Sequence, residues 1–372
     1  NDSLSVDFRR NVFYTRPAIS IEKNNDKTRF SAALALENGT INSNLVNTQG
    51  VSTTYNILLP RLRWEYEYMQ GKRIGMRYES SVNSPNISEL QPVVNNANPL
   101  SLFSGNQFLR PEQLHTGGIN WLWFDQFSFT SIFANLSGTY THDKINMARS
   151  VDQNLAQRIT YVNVDDDYRA ELDVNFSTPI RKLGLMIELG FNEAYNRSLT
   201  PVNGLTNINT NYTHGAELTL KNRNTDKISA SVGALVKYTE AQYSIQADLN
   251  NKYYSIGLFT DLNYTPTDHW NFSFTADVSR YQSQSFSNAV SIPLLQAEVS
   301  RFFMKANRAS VSLKAFDILN QNSGIQRVSE LNYLQETRSN IIGRYVMISL
   351  KYKLSKLGSS GGPNVKIDIK NR

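Results

Sequence analysis

Two stretches of the chain carry a charge at nearly every second position. Arg61, Arg63, Glu65 and Glu67 alternate with Leu62, Trp64, Tyr66 and Tyr68, and a little further on Arg77 and Glu79 alternate with Met76 and Tyr78. Successive side chains of a strand point to opposite faces, so this spacing gathers the charges on one face and the apolar groups on the other. Two such strands side by side set up cross-strand pairs between arginine and glutamate. The chemistry open to that face is contact: a water-facing wall, or a surface for a plug or a cargo path. Other reactive groupings are sparse. Asp165-Asp166-Asp167 lacks the glycine and the later glutamate of an EF-hand loop and reads as a solvated acidic loop. His115, His142, His214 and His269 show no metal-ligand spacing. His142 lies near Ser137 and Asp143, the residue types of a hydrolytic relay, but such a relay is defined by geometry rather than by spacing. No phosphate loop, dinucleotide fingerprint or zinc motif is present, so no cofactor and no catalytic step is expected.

The elements that carry these residues are strands. Alternation recurs over Tyr168–Phe176, Leu185–Phe191, Ile228–Val236, Tyr254–Tyr264, Phe272–Val278 and Val346–Tyr352, and no stretch shows a capped 3.6-residue period. Many of these runs approach or exceed about ten residues, the length that crosses a bilayer at a tilt, whereas strands of water-soluble proteins average about 5–6. The pattern predicts an all-β chain of about fifteen antiparallel strands in up-and-down order. Short connections near Met69–Gly71, Asp125–Gln126, Pro179–Leu183 and Pro266–His269 alternate with longer polar links at 39–52, 81–112, 143–165, 198–210, 240–251, 282–289 and 320–341. Short turns at one rim and long loops at the other describe a transmembrane β-barrel of the outer-membrane type.

Composition agrees once both faces are considered. The 372 residues are 40% apolar and 19% charged, with a net charge of +6 spread along the chain and no cysteine. Disulfides and thiolate chemistry are therefore excluded, and without a clustered basic patch nucleic acid is not an expected partner. No apolar run is long enough for a helical membrane span, a test that does not bear on barrels. A ring of about fifteen strands is too wide for side chains to fill, so the apolar face must meet outer-membrane lipid and the charged face the lumen. Tyr68, Trp121, Trp123, Tyr264 and Trp270 lie beside the short turns, where an interfacial aromatic girdle belongs.

Four segments carry a resemblance. Ser104-Gly105-Asn106-Gln107-Phe108-Leu109-Arg110-Pro111-Glu112 is similar to the "G-N-P-x-L-x-P-E" loop of TonB-dependent receptors, with Gln107 where that motif has proline. Leu59-Pro60-Arg61-Leu62, with Arg77-Tyr78-Glu79, Asn83-Ser84-Pro85 and Leu90-Gln91-Pro92, resembles the run that precedes it. Phe316-Asp317-Ile318-Leu319-Asn320-Gln321-Asn322 resembles the "y-D-l-l-N-q-n" signature near the barrel's end, and Arg344–Tyr352 its closing strand. The set resembles the Bacteroidota-type outer membrane β-barrel proteins, relatives of TonB-dependent and SusC-like receptors. Gly105, Asn106, Leu109, Pro111 and Glu112 read as a structural loop-to-strand corner, proline ending the loop and the carboxylate accepting hydrogen bonds.

The resemblance implies localisation in the cell outer membrane and uptake of a ligand captured by long extracellular loops and admitted through a plugged lumen. It also implies TonB, a surface lipoprotein or other envelope-complex subunits as partners. A barrel that scaffolds an envelope complex without transporting is the alternative, and a barrel-embedded hydrolase is a third reading. Residues 1–354 are expected to be the C-terminal portion of a larger barrel, with 22 strands as the size of plugged transporters. Residues 355–372 read as a flexible periplasmic tail.

Overall fold

The computed structural model describes residues 8–45, 50–98, 100–152, 156–245, 247–284, 289–322, 324–330 and 333–353. The expected tail at 355–372 lies outside the described residues. In chain order the strands are β1 (Phe8–Thr15), β2 (Ala18–Asn24), β3 (Thr28–Leu45), β4 (Val51–Met69) and β5 (Lys72–Asn83). A one-turn helix, α1 (Ile87–Leu90), precedes β6 (Asn95–Asn98), β7 (Ser101–Ser104), β8 (Glu112–Asp125), β9 (Thr130–His142), β10 (Lys144–Val151) and β11 (Gln157–Val164). Next come β12 (Asp167–Ile180), β13 (Leu185–Val202), β14 (Leu205–Asn222), β15 (Ile228–Tyr243), β16 (Asn251–Thr267) and β17 (Trp270–Ser283). The last are β18 (Val290–Phe303), β19 (Ala309–Phe316), β20 (Gly324–Glu330), β21 (Tyr333–Ser339) and β22 (Tyr345–Tyr352).

Twenty of these strands form one sheet, and β20 with β21 form a separate hairpin. The long strands pair antiparallel in up-and-down order, from β3 with β4 and β5 through to β19 with β22. β1 and β2 are two arms of a single wall strand, because they pair with the upper and lower halves of β3. Pro17 divides them: proline has no N–H to donate, and its carbonyl accepts from Leu36 N at 3.0 Å so that the ladder resumes. With the two arms counted as one, the wall has the fifteen strands that alternation predicts, and the other six strands lie in the long connections. Among the described residues, the ladders of β1 and β2 are with β3 and that of β22 is with β19.

One expected long loop is not a loop. At 198–210 the strands β13 and β14 run on, paired from Leu185↔Asn222 to Val202↔Leu205. Asn203 and Gly204 make the two-residue turn, with φ of 51° and 80°, the conformation that Asn-Gly adopts in a type I′ hairpin. Polarity made this segment look like a connection, but extended strands beyond the bilayer are wet on both faces and need no apolar alternation.

The loops at 84–111 and 143–166 are built rather than loose. Asn86 caps α1, accepting from Glu89 N at 3.0 Å while Glu89 Oε2 accepts from Asn86 N at 2.8 Å, a reciprocal capping box. β7 runs parallel to β11, from Ser101↔Gln157 to Ser104↔Thr160, locking one loop to the other. Leu90 and Leu109 pack with Ile41 and Ile145 in a buried apolar cluster, flanked by Phe8, Val12, Tyr55 and Tyr161. Ile41 and Tyr55 share their strands' charged face with Arg29, Arg61 and Arg63. The loop layer therefore covers the inner face of the wall near the loop rim.

Candidate functional site

The loop corner is densely hydrogen-bonded. Gly105 N donates to Gln91 O at 2.8 Å and Asn106 N to Glu89 O at 2.7 Å. A β-carbon on Gly105 would lie 2.6 Å from two of those backbone oxygens, so the position admits only glycine. Asn106 Nδ2 reaches across to Tyr161 O at 3.0 Å, and its Oδ1 accepts from Phe108 N at 3.0 Å in an Asx turn. Arg110 N donates to Asn163 Oδ1 at 2.8 Å, and the Arg110 guanidinium meets Asp143 at 2.6 Å. Glu112 is 2% exposed and accepts from Asn83 Nδ2 at 2.6 Å, Lys144 Nζ at 2.9 Å and Ile145 N at 2.8 Å. Leu109 is buried in the cluster described above and Pro111 joins it to the strand. The segment thus clamps the loop layer to β8, β10 and β11. The amide nitrogen of Gln107, where the resembling motif has proline, is buried with no hydrogen-bond partner among the described residues.

The later motif has a similar physical content. Asp317 is fully buried, with a φ of 48°, and its two carboxylate oxygens accept from Gln321 N at 3.0 Å and Asn322 N at 3.1 Å. Asn320 Oδ1 accepts from Arg344 N at 3.2 Å, and Phe316 stacks on Tyr345 at 4.9 Å, tying the end of β19 to the start of β22.

The charged wall is only partly paired. Arg61 and Glu79 are in register and form an ion pair at 2.5 Å; Arg29 reaches Glu65 across β3 and β4 at 3.8 Å. Arg63 stands opposite Arg77, a like-charge register, and turns along its own strand to Glu65 at 3.6 Å. Arg77 lies over Gly118 instead, and Glu67 faces Arg73 without an ion pair. These groups are solvent-exposed, so each pair contributes about 1 kcal/mol or less. What they provide is a wet, charged surface continuous with the Asn, Ser and Thr of the later inner-face positions.

On the opposite face the five aromatic residues gather at the short-turn rim. Trp121 Nε1 donates to Tyr68 OH at 3.1 Å, and Lys72 Nζ lies 5.3 Å over Trp123. Tyr264 and Trp270 flank Phe272 at 6.2 and 5.9 Å, with the Arg301 guanidinium 5.3 Å over Trp270. A second aromatic row, not singled out from the sequence, runs along the loop rim of the same face. Tyr78 OH meets His115 Nδ1 at 2.7 Å, His115 stacks on Tyr140 at 5.8 Å and Tyr140 contacts Tyr168 at 5.2 Å. Tyr195 with Tyr212, then His214 with Tyr238 and Tyr254, carry the row to β16. The readable signal was an aromatic or histidine at the loop-side end of each run, such as Tyr140 and Tyr254.

Ser137 and His142 belong to opposite faces of β9, as Ser137 opposes Gly118 while His142 opposes Gln113, and no hydrolytic relay assembles there. Among the described residues no group of histidines and carboxylates could hold a metal ion.

With this geometry in view, comparison with known proteins identifies the chain's kind. The family described as "outer membrane protein beta-barrel family" matches residues 19–205 and 192–352, nearly the whole wall. The chain belongs to this outer membrane β-barrel family. It is an outer-membrane protein, and its apolar face therefore meets lipid. No curated protein matches it. Among solved structures it is similar to in-vitro folded OmpT, an outer membrane protein of Vibrio cholerae, at 10% identity and a TM-score of 0.36, covering 93% of this chain and 96% of that one. The trimer form of that protein gives 11% identity and a TM-score of 0.35 over 94% and 98% of the two chains. Outer-membrane expressed OmpT of the same organism gives 9% and 0.27 over 76% and 89%. These likenesses are too distant to carry an argument. From Tyr254 to Tyr264 along β16 the two aromatic rows stand about 25 Å apart in height at the usual strand rise and tilt, about the height of the apolar band of an outer-membrane barrel.

Proposed function

We propose that the protein is the wall of a ligand-uptake channel in the outer membrane, akin to TonB-dependent and SusC-like receptors. The observation that carries this reading is the loop layer. The segment 84–111 folds onto the charged inner face, fastened by Glu112 and a buried apolar cluster, and so covers that face near the loop rim. A scaffold has no need of a layer over its own inner face, whereas an importer selects its cargo there. The polar inner face is the path, and the two aromatic rows anchor the wall at its headgroup levels. Energy from TonB and partnership with a surface lipoprotein belong to the same reading and rest on the motif resemblance. No catalytic step is part of it.

The test compares a deletion strain, its complemented parent and a TonB-deficient parent. Uptake of labelled ferric chelates, corrinoids and maltodextrins above the porin size limit is measured in each. Loss of at least one probe on deletion, restored by complementation and absent without TonB, is expected. Equal uptake of every probe in the deletion strain and the parent overturns the reading.

A further inference from the structure

On the lipid-facing side, one row of the sheet runs Tyr78, Gly117, Gly138, Ala170, Tyr195, each directly opposite the next in register. Three adjoining strands thus carry almost no side chain between two tyrosines, whereas alanines elsewhere on this face, such as Ala216 and Ala234, stand between larger Leu, Val or Phe side chains. The result is an open groove of about 800 Å³. The next row of the same face on the turn side is apolar, with Ile119, Leu136 and Leu172 in register. The groove's upper bank, toward the loops, ends at Arg197, whose guanidinium lies 5.8 Å over the ring of Tyr168 and forms no ion pair among the described residues. The one carboxylate lining the groove, Asp166, is already engaged by Tyr140 OH at 2.6 Å.

The chain's own packing does not account for the glycines. Glycine inside a strand is destabilising by roughly 0.5–1 kcal/mol relative to alanine, so paired glycines usually mark a close approach of something else. Yet a β-carbon on Gly117 would meet nothing nearer than 3.8 Å and one on Gly138 nothing nearer than 3.5 Å, which is ordinary contact. The room is real and the protein leaves it unfilled. In this face the neighbouring molecules are lipids, and the long loops put the groove in the outer leaflet.

We infer that the groove binds the phosphate-bearing glycolipid of the outer leaflet, with an acyl chain on the Gly117–Gly138–Ala170 floor and a phosphate on Arg197. An acyl chain fits a trough floored by glycine and alanine, and a planar guanidinium matches phosphate through paired N–H donors. Arg197 stacked on Tyr168 is held at the depth where the phosphate sits.

The full chain, extracted from outer membranes and delipidated in mild detergent, is titrated with bisphosphorylated lipid A and with its dephosphorylated form, and bound lipid is counted by native mass spectrometry. Wild type is expected to retain one bisphosphorylated lipid in preference to the dephosphorylated one. Arg197→Gln should weaken the first by about tenfold, the loss of one charge-assisted pair, and erase the preference. Gly138→Phe should weaken both, while Ala234→Phe, on the same face of β15 away from the groove, should leave both unchanged. Heat-modifiable gel mobility reports whether each variant is folded; should Gly138→Phe misfold, Arg197→Gln decides alone. Equal binding by wild type and Arg197→Gln overturns the inference, as does a groove-dependent dimer that binds no lipid.

Discussion

At the scale of single residues, the molecule's most consequential carboxylate is structural. Glu112 sits at 2% exposure, satisfied by one amide, one ammonium and one backbone N–H. Removing it leaves Lys144 and a buried backbone donor without their acceptor. Glu112→Ala is therefore expected to cost about 2–3 kcal/mol of local stability, read as new chymotrypsin cleavage within 84–111, at Phe103 or Phe108, on the otherwise folded barrel. Resistance equal to that of wild type would mean the clamp is redundant. The role of this residue was legible in part: its position after Arg110-Pro111 marked a loop-to-strand corner. Its three partners were not legible, since Asn83, Lys144 and Ile145 come from elements far apart in sequence. Nor did the sequence show that Gln107 would bury an amide with no partner among the described residues.

At the scale of elements, turn chemistry decides more than loop length. Asn203-Gly204 closes β13 and β14 with two residues in the left-handed region, and polarity alone misread this segment as a loop because the period-2 signal fades where both faces are wet. On the other rim, beyond the turn-side aromatics, Asp125 organises the turn between β8 and β9. It accepts from Ser128 Oγ at 2.6 Å and Phe127 N at 3.1 Å, and these bonds, the hydroxyl's first, hold its carboxyl below the usual carboxylate range. A carboxylate whose folded pKa is depressed stabilises the fold above its unfolded pKa, and that stabilisation is lost as pH falls through the folded value. Asp125→Asn should consequently lower the thermal midpoint at pH 7, with the gap to wild type closing below the ordinary carboxylate range. A gap that stays constant down to pH 3 would assign the turn's stability to shape rather than charge.

At the scale of the whole molecule, two faces and two rims define how the sheet sits in the membrane. Leu218 opposes Leu189 and Ala234 on the lipid face, and Thr275 opposes Asp261 and Gln296 on the inner one. Leu218→Arg should destabilise the inserted barrel by about 2–4 kcal/mol near the midplane, while Thr275→Arg should be tolerated, as followed by urea unfolding from liposomes. Equal costs at the two sites would reverse or abolish the facing described above. Because the chain has no cysteine, topology can be read without background labelling. Leu205→Cys, at the loop rim, should react with a membrane-impermeant maleimide on intact cells, and Thr225→Cys, at the turn rim, only after permeabilisation. The opposite pattern would invert the barrel.

What the sequence alone determined is the wall: strand number, alternation, the direction of burial and the turn-side aromatic row. All of these follow from local period and from the length that a bilayer imposes on a strand, properties carried within each stretch of chain. Tertiary structure alone decided what lies across the wall. The folding of 84–111 onto the inner face, the aromatic row on the loop side and the Gly117–Gly138–Ala170 groove each arise from register between strands. Register joins residues distant in sequence, and no local pattern encodes which small residue will stand opposite which.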